Sequence, residues 1–388
     1  MKTIDQLDLK GRRVLIRVDF NVPLKAGSVV TDATRLEASV PTVKTAADKG
    51  AKVILCSHLG RPKGGPSPEL SLKPVAAAFA EILGRPVGFV PECVGPVAEQ
   101  AVAAMKPGEV VLLENLRFHP EEEANDPDFA RELAALCDVY VNDAFGTAHR
   151  AHASTEGVTR FVSETAAGFL IRDELKYLGD TLNAPARPFV AILGGAKVSD
   201  KIAVIEALLK KVDILVIGGG MANTFNKALG RPVGASKVED DRLEIARSIA
   251  QKAGSKLMLP VDYVVGASFA ADAAIQIVAR DRIPEGTLAM DIGPESAKSF
   301  GMAIASAKTI FWNGPMGVFE WDRFAAGTES IARAVAGAKA VSIVGGGDSV
   351  AALGKFGLKD KVSHVSTGGG ASLEFIEGRT LPGIAALG

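Results

Sequence analysis

The chain has 388 residues, of which 47% are hydrophobic and 23% charged, and its formal net charge at pH 7 is -1. This length exceeds what one hydrophobic core usually holds, so we expect two domains. A net charge near zero gives no overall field to attract nucleic acid or a membrane surface. We therefore expect neither partner, and any binding of anions must be local.

The N-terminal sequence, the lengths of the apolar runs and the cysteines indicate a cytoplasmic protein. The N-terminal residues form no apolar signal region, and no apolar run is long enough to cross a bilayer. Cys56, Cys93 and Cys137 are far apart and lack the spacing of a metal site, so they are interpreted as buried thiols in a reducing compartment.

Short apolar runs alternate with helical segments along the chain. In chain order, the predicted strands are residues 14–18, 53–56, 110–113, 139–142, 189–193, 214–217, 256–260, 309–312, 340–344 and 363–365. Helical spacing is clearest at residues 74–83, 200–211 and 240–253. This alternation predicts an α/β fold of two doubly wound parallel-sheet (Rossmann-like) domains, joined by a hinge helix. In such sheets ligands bind beyond the carboxyl ends of the strands.

A domain boundary is predicted near residues 183–188, where a proline-bearing turn precedes a strand. Residues 168–182 just before it have the pattern of an amphipathic helix. Such a sequence of elements is typical of an interdomain connector. We expect a first domain over residues 1–169, a connector over 170–187 and a second domain over 188–371.

Glycine-rich turns end predicted strands in the second half of the chain, at residues 194–195, 218–220, 345–347 and 368–370. Glycine lets backbone N–H groups approach an anion closely. Neither familiar nucleotide motif is present, because no cluster completes a Walker A loop and Asn223, Val350 and Leu373 stand where a dinucleotide fingerprint needs glycine. A nucleotide site here must be of a less common type.

Two of these turns carry charged residues. Lys197 and Lys201 follow residues 194–195, and both could face an anion bound at a helix start, although a tight turn with two surface lysines is the simpler alternative. Asp348 follows residues 345–347, where it could cap the next helix or bind Mg²⁺ on a nucleotide. The sequence alone leaves both alternatives open for Asp348.

Predicted strands of the first half end instead in polar and basic groups. These are Asp19 and Asn21, His58 and Arg61, Arg117, and then His149, Arg150 and His152. Arginine binds carboxylates and phosphates, and aspartate suits a hydroxyl, so a small phosphorylated hydroxy acid fits this mixture. A metal site on the histidines is the weaker alternative, since their spacings are not those of a zinc site.

At these residues the chain resembles the phosphoglycerate kinases, over essentially its whole length. Residues 311–320, Phe-Trp-Asn-Gly-Pro-Met-Gly-Val-Phe-Glu, are very specific to that family. The other matching segments are residues 17–23, 57–63, 114–118, 143–154, 194–202, 345–348 and 366–374. The resemblance implies reversible phosphoryl transfer from 1,3-bisphosphoglycerate to ADP, giving 3-phosphoglycerate and ATP, by a monomer that uses Mg²⁺.

The resemblance also implies roles for individual residues. Phosphoglycerate would be held by Asp19, Phe20, Asn21, Arg35, His58, Leu59, Gly60, Arg61, Arg117, His149, Arg150 and His152. The nucleotide would be held by Gly195, Lys197, Lys201, Gly219, Asn313, Pro315, Gly317, Val318, Glu320, Gly346, Gly347, Asp348 and Ser349. Asp348 would bind Mg²⁺, Arg35, Lys197 and Lys201 would be catalytic, and the tail 372–388 would return to the first domain.

Two departures from the family pattern stand out. Ser349 replaces the usual threonine but keeps a hydroxyl, and residues 170–173 of the connector match poorly. Two other functions are weighed. A dehydrogenase on a doubly wound fold lacks its fingerprint here. A non-catalytic nucleotide-binding protein would not need Arg35, Lys197, Lys201 and Asp348 together.

Overall fold

The structure is a computed structural model that describes residues 1–63 and 65–388. The chain divides into two compact units. The first unit comprises Met1–Lys176 and Thr380–Gly388, and the second comprises Tyr177–Arg379. Among the described residues, no helix combines the length and apolarity needed to cross a membrane.

The first unit is built on a six-stranded parallel sheet. Its strands are β1 (Arg13–Val18), β4 (Lys52–Cys56), β5 (Val87–Val90), β6 (Val110–Leu113), β7 (Val139–Asp143) and β8 (Thr165–Ala167), in the spatial order β5-β6-β4-β1-β7-β8. A short hairpin pairs β2 (Leu24–Lys25) with β3 (Val29–Val30). The helices are α1 (Thr34–Asp48), α2 (Lys73–Leu83), α3 (Gly95–Ala104), α4 (Pro120–Ala124), α5 (Pro127–Ala135) and α6 (Phe169–Glu174).

The second unit repeats this plan and adds a smaller sheet. The parallel sheet contains β9 (Phe189–Leu193), β10 (Ile214–Ile217), β11 (Leu257–Met258), β15 (Thr309–Asn313), β16 (Val341–Gly345) and β17 (His364–Val365), in the order β11-β10-β9-β15-β16-β17. An antiparallel sheet has the order β13-β12-β14, formed by β12 (Asp262–Gly266), β13 (Ile275–Ala279) and β14 (Leu288–Ile292).

The helices of the second unit fill the connections between its strands. They are α7 (Ile202–Leu209), α8 (Gly219–Ala228), α9 (Leu243–Ala253), α10 (Pro294–Ser306), α11 (Ala326–Gly337), α12 (Gly347–Lys355) and α13 (Gly370–Ile376). The last helix of the chain, α14 (Pro382–Ala385), belongs to the first unit.

The central strands explain why two doubly wound sheets form. Every residue of β7, β9 and β15 is buried, so their apolar side chains need cover on both faces of the sheet. Helices supply that cover, and parallel strands require crossover connections long enough to hold them. The two parallel sheets expected from the sequence are therefore confirmed.

The antiparallel sheet was not predicted. Most of β13 is exposed, and only Val278 in it is buried. A strand that buries so little carries a weak apolar signal. The edge strands β5 and β8 were missed for a related reason, because they are short and only partly apolar.

The connector and tail differ from expectation in their bounds. The expected connector helix begins as α6 but continues as a π-helical segment over Leu175–Thr181, and the chain passes from the first unit to the second between Lys176 and Tyr177. Residues 372–379 stay with the second unit, where the Ser372 and Ser366 hydroxyls are 2.7 Å apart. The tail of the first unit begins only at Thr380, and Gly383 N–H donates to the Ala148 carbonyl.

Candidate active site at the carboxyl ends of the parallel strands

In the second unit, glycine turns follow four adjacent strands, β10, β9, β15 and β16. Because these strands are parallel, their carboxyl ends lie along one edge of the sheet, and the turns meet there. The turns pack tightly on one another. A Cβ on Gly194 would lie 2.1 Å from the Pro315 carbonyl oxygen, and Gly219, at φ +63°, would place one 2.7 Å from Gly195 N. The glycines therefore allow backbone to pack on backbone.

Two adjoining cavities open at these turns. One, of about 310 Å³, is polar, and its charged lining residues are Lys197, Asp200, Lys201 and Asp348. The other, of about 320 Å³, is mainly apolar, and its lining includes Tyr263, Phe269, Leu288, Met290 and Val318. Gly195, Ala196 and Asp348 border both. A charged cavity beside an apolar one suits a ligand with a phosphate chain at one end and a flat ring at the other.

All thirteen residues assigned to the nucleotide by resemblance line one or both cavities. The polar cavity has Gly195, Lys197, Lys201, Asn313, Gly346, Gly347, Asp348 and Ser349. The apolar cavity has Gly195, Gly219, Pro315, Gly317, Val318, Glu320 and Asp348.

Lys201 holds two of the turns together. Its ammonium donates to the carbonyls of Gly194 at 2.7 Å and Asn313 at 2.9 Å. Burial lowers the pKa of Lys201 to about 8, although Asp348 and Asp200 oppose that effect. The side chain is therefore still mainly charged near neutral pH, and it fixes the edge of the polar cavity.

The helix predicted over residues 200–211 begins close to that position, but a short 3₁₀ turn precedes it. A 3₁₀ turn spans Ser199–Lys201, and α7 begins only at Ile202, so Lys197 and Lys201 do not share an α-helical face. They nevertheless border the same cavity.

Glu239 occupies the N–H groups of this turn. Its carboxylate accepts from Val198 N at 2.5 Å and Ser199 N at 3.1 Å, and from the Ser199 hydroxyl at 2.5 Å. These two N–H groups are thus already bound within the protein. Sequence reasoning missed Glu239, since it lies about forty positions further along the chain in a charged segment of ordinary appearance.

The two roles considered for Asp348 can now be compared. The residue that caps α12 is Gly346, and no side-chain hydrogen bond is made at this cap. Asp348 lies in the first turn with its side chain exposed at both cavities. The capping interpretation is therefore wrong. Ser349 is buried, and its hydroxyl oxygen accepts from Gly314 N at 2.5 Å, which leaves its own O–H to donate.

In the first unit, the polar groups follow β6, β4, β1 and β7, which are also adjacent and parallel. Arg35 donates to both carboxylate oxygens of Asp19 at 2.9 Å and to the Asn21 carbonyl at 3.2 Å. The Asn21 side chain accepts from Gly60 N, and Arg117 donates to the Gly60 carbonyl at 2.8 Å. These residues form one connected cluster.

A buried network lies beneath this cluster. Arg17, only 1% exposed, donates to the Ser154 hydroxyl at 2.9 Å and lies 3.1 Å from His58 Nδ1. The buried Glu122 accepts from Ser154 N and from its hydroxyl, at 2.9 and 2.6 Å. Sequence reasoning assigned no role to Glu122 or Ser154. Their roles depend on buried contacts between distant segments.

The histidines of this cluster contribute little positive charge. The pKa of His58 lies well below its usual value, mainly because the ring is buried. The positive charges nearby lower it further, and they belong to Arg17, Arg117, Arg35 and Arg150. Burial, Arg117 and Arg17 lower the pKa of His152 to about 4. Both rings are therefore neutral near pH 7. Their description as basic groups was wrong, and the arginines carry the charge.

The remaining predicted residues divide between core and surface. Phe20 is fully buried and its ring packs on Phe79, with centroids 4.7 Å apart, while Leu59 is 3% exposed. These two side chains belong to the core, which leaves only their backbone for a ligand. Arg61 is exposed, and Arg150 Nε donates to His149 Nε2 at 3.1 Å.

Comparison with known proteins agrees with this arrangement. The family model for phosphoglycerate kinase matches residues 4–379. The chain is 60% identical over 388 residues to the phosphoglycerate kinase of Moorella thermoacetica, covering 99% of this chain and 98% of that protein. It is 56% identical to the cytosolic phosphoglycerate kinase of Triticum aestivum, covering 99% of this chain and 97% of that protein.

Solved structures agree as well. The phosphoglycerate kinase structure from Coxiella burnetii superposes with a TM-score of 0.89 at 43% identity, covering 99% of this chain and 98% of that one. The phosphoglycerate kinase structure from Pyrococcus horikoshii superposes with a TM-score of 0.89 at 32% identity, covering 100% of this chain and 98% of that one. The chain belongs to the phosphoglycerate kinase family, and it is an enzyme with that family's activity in glycolysis and gluconeogenesis.

Proposed function

We propose that the second unit binds the nucleotide and the first unit binds the phosphoglycerate. The observation that carries this proposal is the pair of adjoining cavities in the second unit, one charged and one apolar. The adenine ring would enter the apolar cavity and the phosphates the polar one, beside Lys197 and Lys201. No comparable apolar cavity is needed for phosphoglycerate, which has only a three-carbon body.

Phosphoglycerate would bind in the arginine cluster of the first unit. Arg61, Arg117 and Arg150 offer guanidinium groups for phosphate and carboxylate, which they bind with charge-assisted hydrogen bonds. Neutral His58 and His152 would add uncharged hydrogen-bonding groups. Asp19, held in place by Arg35, would accept a hydrogen bond from the substrate hydroxyl.

Mg²⁺ would be held at Asp348, together with oxygens of the nucleotide phosphates. Support comes from the exposed carboxylate at the mouth of the polar cavity, because Mg²⁺ on nucleotides typically takes one or two carboxylates. The ion would supply neutralisation of phosphate charge.

The reaction itself needs alignment and charge neutralisation more than proton transfer. In the ATP-consuming direction the nucleophile is a carboxylate, which is already ionised at neutral pH and needs no general base. In-line transfer would then depend on positive groups near the moving phosphoryl group. We assign that role to Arg35 and Lys197, with Lys201 holding the turns and supporting the phosphates.

Since the two substrates would bind to separate units, we propose that transfer is accompanied by hinge closure. We assign the hinge to the connector, in which α6 passes into the π-helical segment Leu175–Thr181. Closure would also exclude water from the phosphoryl group. Small-angle scattering should show compaction when both substrates are present and less with either alone. An unchanged radius of gyration with both substrates bound would contradict the hinge proposal.

We also propose that the protein is a cytoplasmic monomer. Its relative in Triticum aestivum is described as cytosolic, and Cys56, Cys93 and Cys137 are all buried free thiols. Light scattering coupled to gel filtration tests the monomer, and a mass near twice 40.3 kDa would contradict it.

The division of ligands between the units can be tested by calorimetry with two variants. Lys197→Ala should weaken ADP binding about tenfold or more and leave 3-phosphoglycerate binding unchanged, as expected when a charge-assisted hydrogen bond is lost. Arg61→Ala should do the reverse. If Arg61→Ala weakened ADP and spared 3-phosphoglycerate, the assignment of the two sites would be wrong.

A further inference from the structure

A third group of chemically active side chains lies in the first unit, and none of these side chains has a part in the proposed reaction. Within residues 1–63 and 65–388, one group of three His, Cys or acidic side chains places its ligand atoms within 4.8 Å of one another, namely Glu92, Cys93 and His119. Glu92 Oε1 and His119 Nε2 are 2.8 Å apart. Cys93 is completely buried.

The sheet topology explains why these residues meet. Glu92 and Cys93 follow β5, and His119 follows β6 and begins α4. The two strands are parallel neighbours, so the segments after them lie at the same edge of the sheet. No sequence spacing could indicate this site, because the ligands are separated by a helix and a strand.

The three ligand types point to one class of ion. Cysteine sulfur, imidazole and carboxylate together are typical of Zn²⁺, whereas Mg²⁺ and Ca²⁺ prefer oxygen ligands only. Burial raises the pKa of the Cys93 thiol, so Zn²⁺ binding would release its proton. With Zn–S near 2.3 Å and Zn–N near 2.0 Å, tetrahedral ligand atoms lie about 3.3–3.6 Å apart. Glu92 Oε1 and His119 Nε2, 2.8 Å apart, would have to separate slightly, and any pair near the upper limit of 4.8 Å would have to approach, so small side-chain movements would make the site.

The surroundings favour binding from the solvent side. The side chains of Glu92 and His119 are 39% and 30% exposed, so an ion can reach them, while Cys93 lies beneath. Glu92 is further oriented because its Oε1 accepts from Cys93 N at 2.8 Å. The His119 ring also lies against Phe129, with centroids 5.3 Å apart, which limits its freedom. Such outer contacts orient the ligands of metal sites.

We propose that Glu92, Cys93 and His119 form a Zn²⁺ site with one position open to water, separate from the Mg-nucleotide site. His119 lies two residues after Arg117 and starts α4, so a bound ion would tie the segment after β5 to the loop that carries Arg117. The ion would stabilise the fold here and take no part in phosphoryl transfer, because none of its ligands belongs to the proposed substrate clusters.

Cobalt provides a direct test, because Co²⁺ bound to a thiolate shows charge-transfer absorption in the near ultraviolet. Untagged, nucleotide-free protein titrated with Co²⁺ should develop this absorption with one equivalent, and Zn²⁺ should abolish it. Co²⁺ bound at Asp348 would give no such band, since that site has only oxygen ligands. Absence of the band in the wild-type protein would overturn the proposal.

Variants identify the ligands. Cys93→Ser should remove the band, whereas Cys56→Ser and Cys137→Ser, which change equally buried free thiols, should retain it. His119→Gln and Glu92→Gln should each weaken Co²⁺ binding by more than about tenfold, since even outer-shell changes cost 10- to 100-fold. Retention of the band in Cys93→Ser would contradict the site. If Cys93→Ser failed to fold, unchanged affinity in His119→Gln would contradict it equally.

A stability measurement supports the spectroscopy. An ion that binds only the folded chain raises its unfolding temperature by mass action. Zn²⁺ should therefore raise the midpoint temperature of thermal unfolding of the wild-type protein and not that of His119→Gln. An equal rise in both proteins would mean that the ion binds elsewhere.

Discussion

The two clusters at the strand ends are built in different ways. In the first unit, the site consists of side chains that already bind one another, as Arg35 binds Asp19 and Arg117 binds the Gly60 carbonyl. In the second unit, the site is mainly backbone, with glycine turns packed at the sheet edge and charged side chains at the cavity rim. Under the proposed assignment, backbone N–H groups and lysines would bind the phosphate chain of a nucleotide, and a fixed arrangement of arginines would bind a small acid with two anionic groups.

The largest effect is expected from Lys197→Ala. Loss of a group that neutralises charge in the transition state should reduce kcat by roughly 100- to 1000-fold, or about 3–4 kcal/mol. Lys210→Ala, which removes an exposed lysine at the end of α7, is the matched control and should leave kcat unchanged. Steady-state assays of ATP formation measure both. Near-normal turnover in Lys197→Ala would exclude it as a charge-stabilising group.

Gly194→Ala tests whether the second site depends on backbone packing. The added Cβ would lie 2.1 Å from the Pro315 carbonyl oxygen, so the turns must separate, and we expect a loss of about 2 kcal/mol or more in the free energy of unfolding. Gly301→Ala is the control, because it lies within α10 with open space around it and should stabilise by about 0.5–1 kcal/mol. Denaturant unfolding compares them. Equal stability of the two variants would refute the packing argument.

Glu239→Gln asks whether a distant carboxylate positions Lys197. Its hydrogen bonds to Val198 N, Ser199 N and the Ser199 hydroxyl are charge-assisted, so their weakening should cost about 1.5–3 kcal/mol locally and raise KM for ADP. Glu244→Gln, at an exposed surface pair, should change stability by less than about 1 kcal/mol. An unchanged KM in Glu239→Gln would limit Glu239 to a structural role.

The last prediction concerns pH and the first unit. His152 has a folded-state pKa of about 4, below the usual 6.5, so the unfolded chain takes up this proton first as the pH falls. The stabilising contribution of neutral His152 is therefore complete above about pH 6.5 and is lost as the pH falls toward 4. His152→Asn should show a smaller loss over this range. A wild-type pH profile in His152→Asn would contradict the assignment.

Much of the fold and the candidate site could be predicted because both depend on local patterns. Fully buried strands such as β9 and β15 carry continuous apolar runs, and glycine or charged residues mark their ends. The exposed strand β13 lacked such a signal and was missed. The tail grouped with the first unit begins at Thr380, later than expected, and the contact between Ser366 and Ser372 within the second unit has no local signature.

The sequence by itself determined the two parallel sheets and the residues at their carboxyl ends, since parallel strands bring successive ends to one edge whatever the loops between them do. Only the tertiary structure decided what those residues do there. In the folded chain, Glu239 binds the turn beside Lys197, and Cys93 lies close to His119. His58 and His152 are neutral because they are buried among arginines. Each of these depends on distances between remote segments and on exclusion of water, neither of which is encoded in any short stretch of sequence.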